Sequence, residues 1–448
     1  MKILSIETSC DETAISILEA ESNFNDEKNP PKFKILADNL ISQADIHKKY
    51  GGVFPALAKR EHSKNLVPLL AKTLTESKLS TPTTKYSLSS RSTKLIKETL
   101  EREPELLEQF LKFIPTIEVP AIDAIAVTQG PGLKPALWVG INFAKALSLV
   151  WNKPLIPVNH LEGHILASLV NEKCKTKKEK LKKVQFPVIG LLISGGHTEL
   201  ILMRGWMRYE KIGQTRDDAV GEAFDKVARM LNLPYPGGPE ISKLAEIERK
   251  SLSTPTTQLS SRSTQWGDIE IKLPRPMLHT ADFDFSFSGL KTAVLYLVKK
   301  LKVKNNWEDL PIEIKQKIAR EFEDAVIEIL LKKSRSAIKK YDAKTLILGG
   351  GVSANRQIRH IFQSPISTPT TKLEVLMPEL EFATDNAVMI GVAGYFRYLT
   401  EQKENQKNSG QSLKAIARLN NLEADGNLNF ETANKKLPPP PLPKKARK

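Results

Sequence analysis

The amino-acid sequence predicts an α/β protein built as two similar lobes that face each other across a cleft. Two internal echoes predict this. ILSIETSCDETAISIL near the start and VIGLLISGGHTELILM from Val188 share one pattern: apolar run, polar turn, apolar run. Short apolar runs bounded by turn residues read as strands, so each stretch is a β-hairpin opening a section that then turns helical. DAIAVTQGPG (Asp123 to Gly132) and KTLILGGGVSAN (Lys344 to Asn355) form the second pair, each a buried strand entering a Gly-rich turn. Turns with exposed backbone N–H groups suit anions, so the Gly-rich turns of both lobes are expected to line the cleft.

Composition narrows the function classes. The 448 residues are 40% apolar and 26% charged, a soluble globular balance with room for a large core. No continuous apolar run approaches a membrane span. The N-terminus turns acidic within seven residues and lacks an apolar leader core, so a cytoplasmic protein is expected. Two cysteines, Cys10 and Cys174, cannot build a disulfide framework or a Cys-rich zinc site. The net charge of +16 suggests an anionic partner, with RNA the leading candidate. Much of the excess sits in KCKTKKEKLKK (Lys173 to Lys183) and in KKLPPPPLPKKARK (Lys435 to Lys448), each a solvated charge run or an RNA contact.

Taken in chain order, the first hairpin turn carries Cys10, Asp11 and Glu12, a polar turn or a set of phosphate or metal–phosphate contacts. A Ser/Thr/Pro-rich repeat follows at Leu79, Leu252 and Ile366. It shows no apolar periodicity, so each copy is expected as an inserted surface loop, with modification or docking as the sharper reading. The first lobe is then 1–185 with an insert of about 79–118. The second is 186–400 with inserts of about 248–275 and 363–374. The last helix, 384–400, belongs to the second lobe or packs back on the first. From 401 the chain is polar and basic and is expected to be disordered.

NHLEGH, Asn159 to His164, resembles a zinc-protease signature with its glutamate one place late. On a helix His160 and His164 share a face one turn apart, either as a ligand pair or as a hydrogen-bonded pair. Glu162 points away from that face. Asn159 is a good N-cap and Glu162 then falls at N3, which has capping-box form. A third ligand would be a carboxylate, and Asp385, opening the Ala/Gly-rich helix of FATDNAVMIG, is the candidate.

Ser194, Gly195 and Gly196 form a tight hairpin turn suited to phosphate, followed by His197, a structural residue or a base. The helix from Asp217 buries Val220, Phe224, Val227, Ala228 and Leu231, with Glu222 and Asp225 flanking that face as solvated carboxylates or substrate ligands. In LGGGVSANR, Asn355 could donate to a ribose or base.

These motifs occur together in one order: IETSCDET, VTQGPGL, NHLEGH, LISGGHTEL, GEAFDKVARMLNLPYPGGP, FSFSGLKTAV, GGGVSANR and ATDNAVMIG, spanning roughly two-thirds of the chain. In them the sequence resembles the bacterial branch of the tRNA N6-adenosine threonylcarbamoyltransferase family (TsaD, formerly called O-sialoglycoprotein endopeptidase). The resemblance implies an actin-like ATPase (ASKHA) fold of two ribonuclease-H-like lobes. It implies one divalent metal, Fe(II) with Zn(II) as the alternative, on His160, His164 and Asp385. The threonylcarbamoyl-adenylate site would involve Leu192, Ile193, Ser194, Gly195, Gly196, Asp225, Gly238 and Asn355. Some members carry an aspartate where this chain has Ser242, which is left out of the set. The implied partners are tRNA, a TsaB-type paralogue and a TsaE-type ATPase. The older family label leaves a metal-dependent glycoprotein endopeptidase as the alternative activity. The three inserts, the basic loop and the long tail depart from the family pattern without interrupting a motif.

Overall fold

The computed structural model describes residues 1–21, 31–83, 88–170, 184–253, 269–364, 373–407 and 422–430. The basic stretch 173–183, most of the second and third repeats and the polyproline end lie outside them.

Among the described residues, ten strands form two five-stranded sheets. The first holds β1 (Lys2–Glu7), β2 (Glu12–Ala20), β3 (Phe33–Ser42), β4 (Ala124–Gly130) and β5 (Leu155–Asn159), in the order β3-β2-β1-β4-β5. The second holds β6 (Val188–Ile193), β7 (Thr198–Gly205), β8 (Arg208–Gln214), β9 (Thr345–Gly349) and β10 (Glu374–Leu376), in the order β10-β9-β6-β7-β8. Read from the other edge, the second order repeats the first. β1, β2 and β3 run as an antiparallel meander, and β4 and β5 pair parallel on the far side of β1. β6, β7 and β8 form the same meander, with β9 and β10 parallel beyond β6. The two sheets share one topology, so the chain carries two alike α/β lobes, and the echoed hairpins were their sequence trace.

The apolar runs explain the layering. β1, β2, β4, β6 and β9 are buried on both faces, as strands flanked by helices must be. Helices Pro55–Ser77 and Lys134–Trp151 cover one face of the first sheet with Leu66, Leu70, Leu137 and Phe143. The other face is covered by the chain's last long helix, Ala387–Lys407. Its Gly391 approaches Ser5 and Leu18, and its Gly394 approaches Ala126, so glycine lets the helix lie close on the strands. That helix therefore packs on the first lobe, although its sequence follows the second.

Three expectations are corrected by packing. The segment 79–118 is no loose insert: Ser89 caps a helix Ser90–Thr99 by accepting from Ser92 N–H at 3.0 Å, and a second helix, Pro104–Phe113, follows. Ile96, Leu100, Leu106 and Phe110 are fully buried in the first lobe's core. Ser-rich sequence favours a helix start as readily as a loop, and the apolar residues come after it. Residues 269–275, placed in the second insert, bury Ile271 and Leu273 against the second lobe. The region after 401 is not uniformly a disordered tail. The last helix continues to Lys407, and 422–430 docks on the first lobe through Leu422 and Ala424, while Phe430 packs on Tyr209 of the second lobe.

Candidate functional site

β5 ends at Asn159, whose side chain accepts from Leu161 N–H at 2.8 Å and so starts the helix His160–Leu166. His160 and His164 then sit one turn apart with ring centroids 4.6 Å apart. Asp385 reaches them from the start of Ala387–Lys407, where Asn386 accepts from Met389 N–H at 2.9 Å. Asp385 Oδ1 lies 3.4 Å from His160 Nε2 and 3.1 Å from His164 Nε2. One donor atom from each of the three residues falls within 4.8 Å of the others.

The donor set fits a divalent ion. Both ring nitrogens of His164 are buried without a hydrogen-bond partner, and the 3.1 Å approach to Asp385 is not aligned as one. An orphaned buried polar ring costs free energy that a shared cation would offset. His160 is oriented from behind: its Nδ1 lies 3.1 Å from Glu7 Oε2 and 3.3 Å from Ser9 Oγ. Glu7 is itself fixed by Thr128 Oγ1 at 2.6 Å and by Ser9 N–H at 2.5 Å. A carboxylate behind a ligating imidazole selects its tautomer and raises its basicity. Burial opposes ionisation of Asp385, yet the two histidines hold its carboxyl well below the usual range.

The other letters of NHLEGH have separate tasks. Glu162 does not close a capping box. Both its oxygens accept from Arg397 on the last helix, at 2.7 and 2.8 Å. The bidentate pair was stronger than a lone backbone donor. Gly163 lies where a Cβ would come within 3.1 Å of Met389 and 3.2 Å of Ile390, so glycine lets the two ligand-bearing helices touch.

Between the lobes lies a cavity of about 1020 Å³. Asp11, Glu12 and Ala44 line it from the first lobe; Gly195, Asp225, Gly238 and Asn355 line it from the second. Thr384, next to Asp385, also lines it and joins the cavity to the His160–His164–Asp385 cluster. A methyl added at Gly195 or Gly196 would meet nothing within 4 Å, so this turn is open to a ligand. Ser194 closes the turn, its N–H donating to His197 O at 2.8 Å and its Oγ accepting from His197 N–H at 3.1 Å. Burial chiefly, then the charge of His160 and His164, lowers His197 to about 4. Leu192 and Ile193 are buried strand residues on opposite faces of β6 and position the turn from below.

Asp225 Oδ1 accepts from Gly237 N–H at 2.8 Å, and burial raises its carboxyl despite that bond. Asn355 is more committed than its sequence suggested. Its Oδ1 caps the helix Arg356–Gln363 at 2.9 Å, and its Nδ2 donates to Ser242 Oγ at 2.7 Å and Glu323 Oε1 at 2.6 Å. Glu323 also accepts from Arg249. Ser242, Glu323 and Arg249 thus belong to this wall; the sequence-derived set leaves Ser242 out, and Glu323 and Arg249 escaped it. Glu7 escaped too, although an acidic residue closing the apolar run ILSI is the kind of signal that could have shown it. Glu222 takes no part: it pairs with Lys226 at 2.7 Å on the helix surface. The Gly130–Gly132 turn is also absent from the cavity lining. Asp425 N–H donates to Gln129 O at 3.0 Å and Gly132 N–H to Gly426 O at 3.3 Å, so the docked C-terminal segment covers it.

Comparison with known proteins agrees with this geometry. Residues 34–85 and 95–392 match the family model described as TsaD: tRNA N6-adenosine threonylcarbamoyltransferase. A protein of that name from Persephonella marina is 36% identical over 422 residues, covering 94% of this chain and 95% of its own. One from Polynucleobacter necessarius is 40% identical, covering 92% and 95%, and one from Staphylococcus haemolyticus 38%, covering 88% and 91%. With the match running through both sheets, the paired histidines and the cavity wall, the chain belongs to the tRNA N6-adenosine threonylcarbamoyltransferase family.

Proposed function

We propose that this protein is an acyltransferase that moves the threonylcarbamoyl group from threonylcarbamoyl-adenylate to N6 of the adenosine 3′ of the anticodon, in tRNAs reading ANN codons. Family membership over nearly the whole chain is the observation that carries this reading. The exocyclic N6 attacks the carbamoyl carbon, the new C–N bond forms as the C–O bond to phosphate breaks, and AMP leaves while N6 loses a proton. Proximity in a cavity of about 1020 Å³, large enough for an adenylate, supplies much of the catalysis.

His160, His164 and Asp385 would hold one divalent metal, which when bound supplies Lewis acidity toward developing negative charge. Two imidazoles and a carboxylate suit Fe(II), our reading, and Zn(II), its alternative. Glu7 and Ser9 keep His160 aimed. Backbone N–H groups of the open Gly195–Gly196 turn would face the phosphate, and Asp225 beside the Gly237–Gly238 turn would bind a polar edge of the adenylate. Asn355 shapes the wall by locking Ser242 and Glu323. We also propose a TsaB-type paralogue and a TsaE-type ATPase as partners and a cytoplasmic location; no helix of the described residues is long and apolar enough to cross a membrane.

The endopeptidase alternative loses its general base, because Glu162 is buried with both oxygens held by Arg397. The test is direct. Purified protein, its bacterial partners, a threonylcarbamoyl-adenylate synthase, unmodified tRNA, threonine, bicarbonate and ATP are combined, and digested nucleosides are weighed by mass spectrometry. Threonylcarbamoyladenosine is expected, and its absence with every partner present would sink the reading. His160→Ala and Asp385→Ala should each lose bound metal; retention in both would remove the triad.

A further inference from the structure

Tyr50 and Phe54 are large aromatic side chains left 65% and 54% exposed. Their ring centroids are 5.9 Å apart and their planes 23° from parallel, a stacked pair open to solvent. The loop that presents them is held by other groups. Gln43 N–H donates to Asp11 O at 2.9 Å, Phe54 N–H to His47 Nδ1 at 3.3 Å, and Arg229 Nη2 to Gly51 O at 2.6 Å. Rings stacked on each other yet left mostly to solvent, on a loop anchored by other groups, need a reason outside the fold.

Their position supplies one. Ala44, at the start of the loop, lines the interlobe cavity. Arg229, which holds Gly51, is one helical turn beyond Asp225, which lines the cavity from the other lobe. Lys48 and Lys49 precede Tyr50 in sequence, Arg60 follows Phe54, and all three are exposed. Lys243 and Arg356 stand on the opposite cavity wall. Stacked aromatic faces flanked by cations, beside the cavity, form the chemistry that holds an unpaired nucleotide.

We propose that the Tyr50–Phe54 pair stacks an unpaired base of the acceptor's anticodon loop, neighbouring the reacting adenosine, with Lys48 and Lys49 on the adjoining phosphates. This rests on the transfer reading and adds the residues that seat the RNA. Stacking tolerates any base because every base has a π-face, whereas hydrogen-bond readout does not. An enzyme acting on tRNAs whose anticodons differ needs that tolerance. A protein partner is the rival occupant, since Leu40, Ile41 and Ile46 are also partly exposed on the first lobe.

The experiment uses the full chain reconstituted with its partners, scored for product formation and for binding of an unmodified tRNA anticodon stem-loop by fluorescence anisotropy. Tyr50→Ala with Phe54→Ala should raise the RNA Kd and the tRNA KM about tenfold or more, with kcat and the salt slope little changed. Tyr50→Trp and Phe54→Tyr should retain binding, which separates stacking from mere damage to the loop. Lys48→Ala with Lys49→Ala should lower the salt slope by roughly one. An unchanged RNA Kd in the doubly truncated pair overturns the proposal, and if paralogue binding falls instead the face belongs to a protein. A wild-type protein that makes no product removes the transfer reading itself, an outcome distinct from a wild type that works with or without the pair.

Discussion

Glu7 shows how much of the site is set by one side chain buried behind it. Fully buried, it spends its oxygens on Ser9, Thr128 and His160. Glu7→Gln keeps the shape but weakens the hold on the imidazole, so metal affinity should fall about 10- to 100-fold. Chelator competition with metal analysis measures this, and an unchanged affinity would show that His160 needs no carboxylate behind it. His62 supplies a second residue-scale prediction. Burial drives it from its ordinary 6.5 to about 4 while it lies 2.8 Å from Thr13 Oγ1 and 3.0 Å from Cys10 O. The unfolded chain therefore takes up this proton before the folded one does. The contribution is intact above pH 6.5 and fades as pH falls toward 4, by about 3 kcal/mol in total. Denaturant unfolding of wild type and His62→Gln between pH 7 and 4.5 checks it; the variant should show the shallower decline.

Among elements, the short docked segment 422–430 has the clearest consequence. Leu422 and Ala424 join the first lobe's outer core, Phe430 lies 4.9 Å from the Tyr209 ring, and Lys145 Nζ donates to Leu422 O at 2.7 Å. Its backbone also roofs Gln129 to Gly132. Ending the chain after Asn421 would open those apolar pockets and free that turn. Burying Leu and Phe side chains is worth about 1.5–3 kcal/mol each, so the truncated protein should melt several degrees lower. Calorimetry decides: an unaltered Tm would mean the segment lies on the lobe without stabilising it. The last helix makes the same point at larger size. Gly391 and Gly394 let it press on the first sheet, and that approach delivers Asp385 to two histidines more than 200 positions earlier.

For the whole molecule, the cavity walled by both lobes makes ligand binding a folding term. A non-hydrolysable mimic of threonylcarbamoyl-adenylate should bind only the assembled cavity and stabilise it by about 2.7 kcal/mol at a hundred times its Kd. Thermal shift against mimic concentration measures it, and a flat response would separate the cavity from the donor site. The architecture itself was legible in the sequence, since hairpins repeated at Ile3 and Val188 and strands repeated before GPG and GGG are local patterns. Short-range periodicity also placed the Val220–Met230 helix: the four expected apolar residues within it and Leu231 at its C-cap are all buried. Ser90–Thr99 misled because its polar first turn and its buried Ile96 obey different rules within ten residues.

The sequence by itself determined that two alike α/β lobes exist, that Asn159 begins a helix, and that His160 and His164 share a face, because these depend on neighbours a few residues apart. Only the tertiary structure decided that Asp385 lies beside the two histidines, that Glu162 binds Arg397 rather than its own helix end, and that Glu323 and Ser242 fix Asn355. Each of those contacts joins residues far apart in the chain, and no local pattern records which distant side chain will fill a buried polar group's remaining valence. Packing settles that, since leaving a buried donor or acceptor alone costs free energy that a distant partner removes.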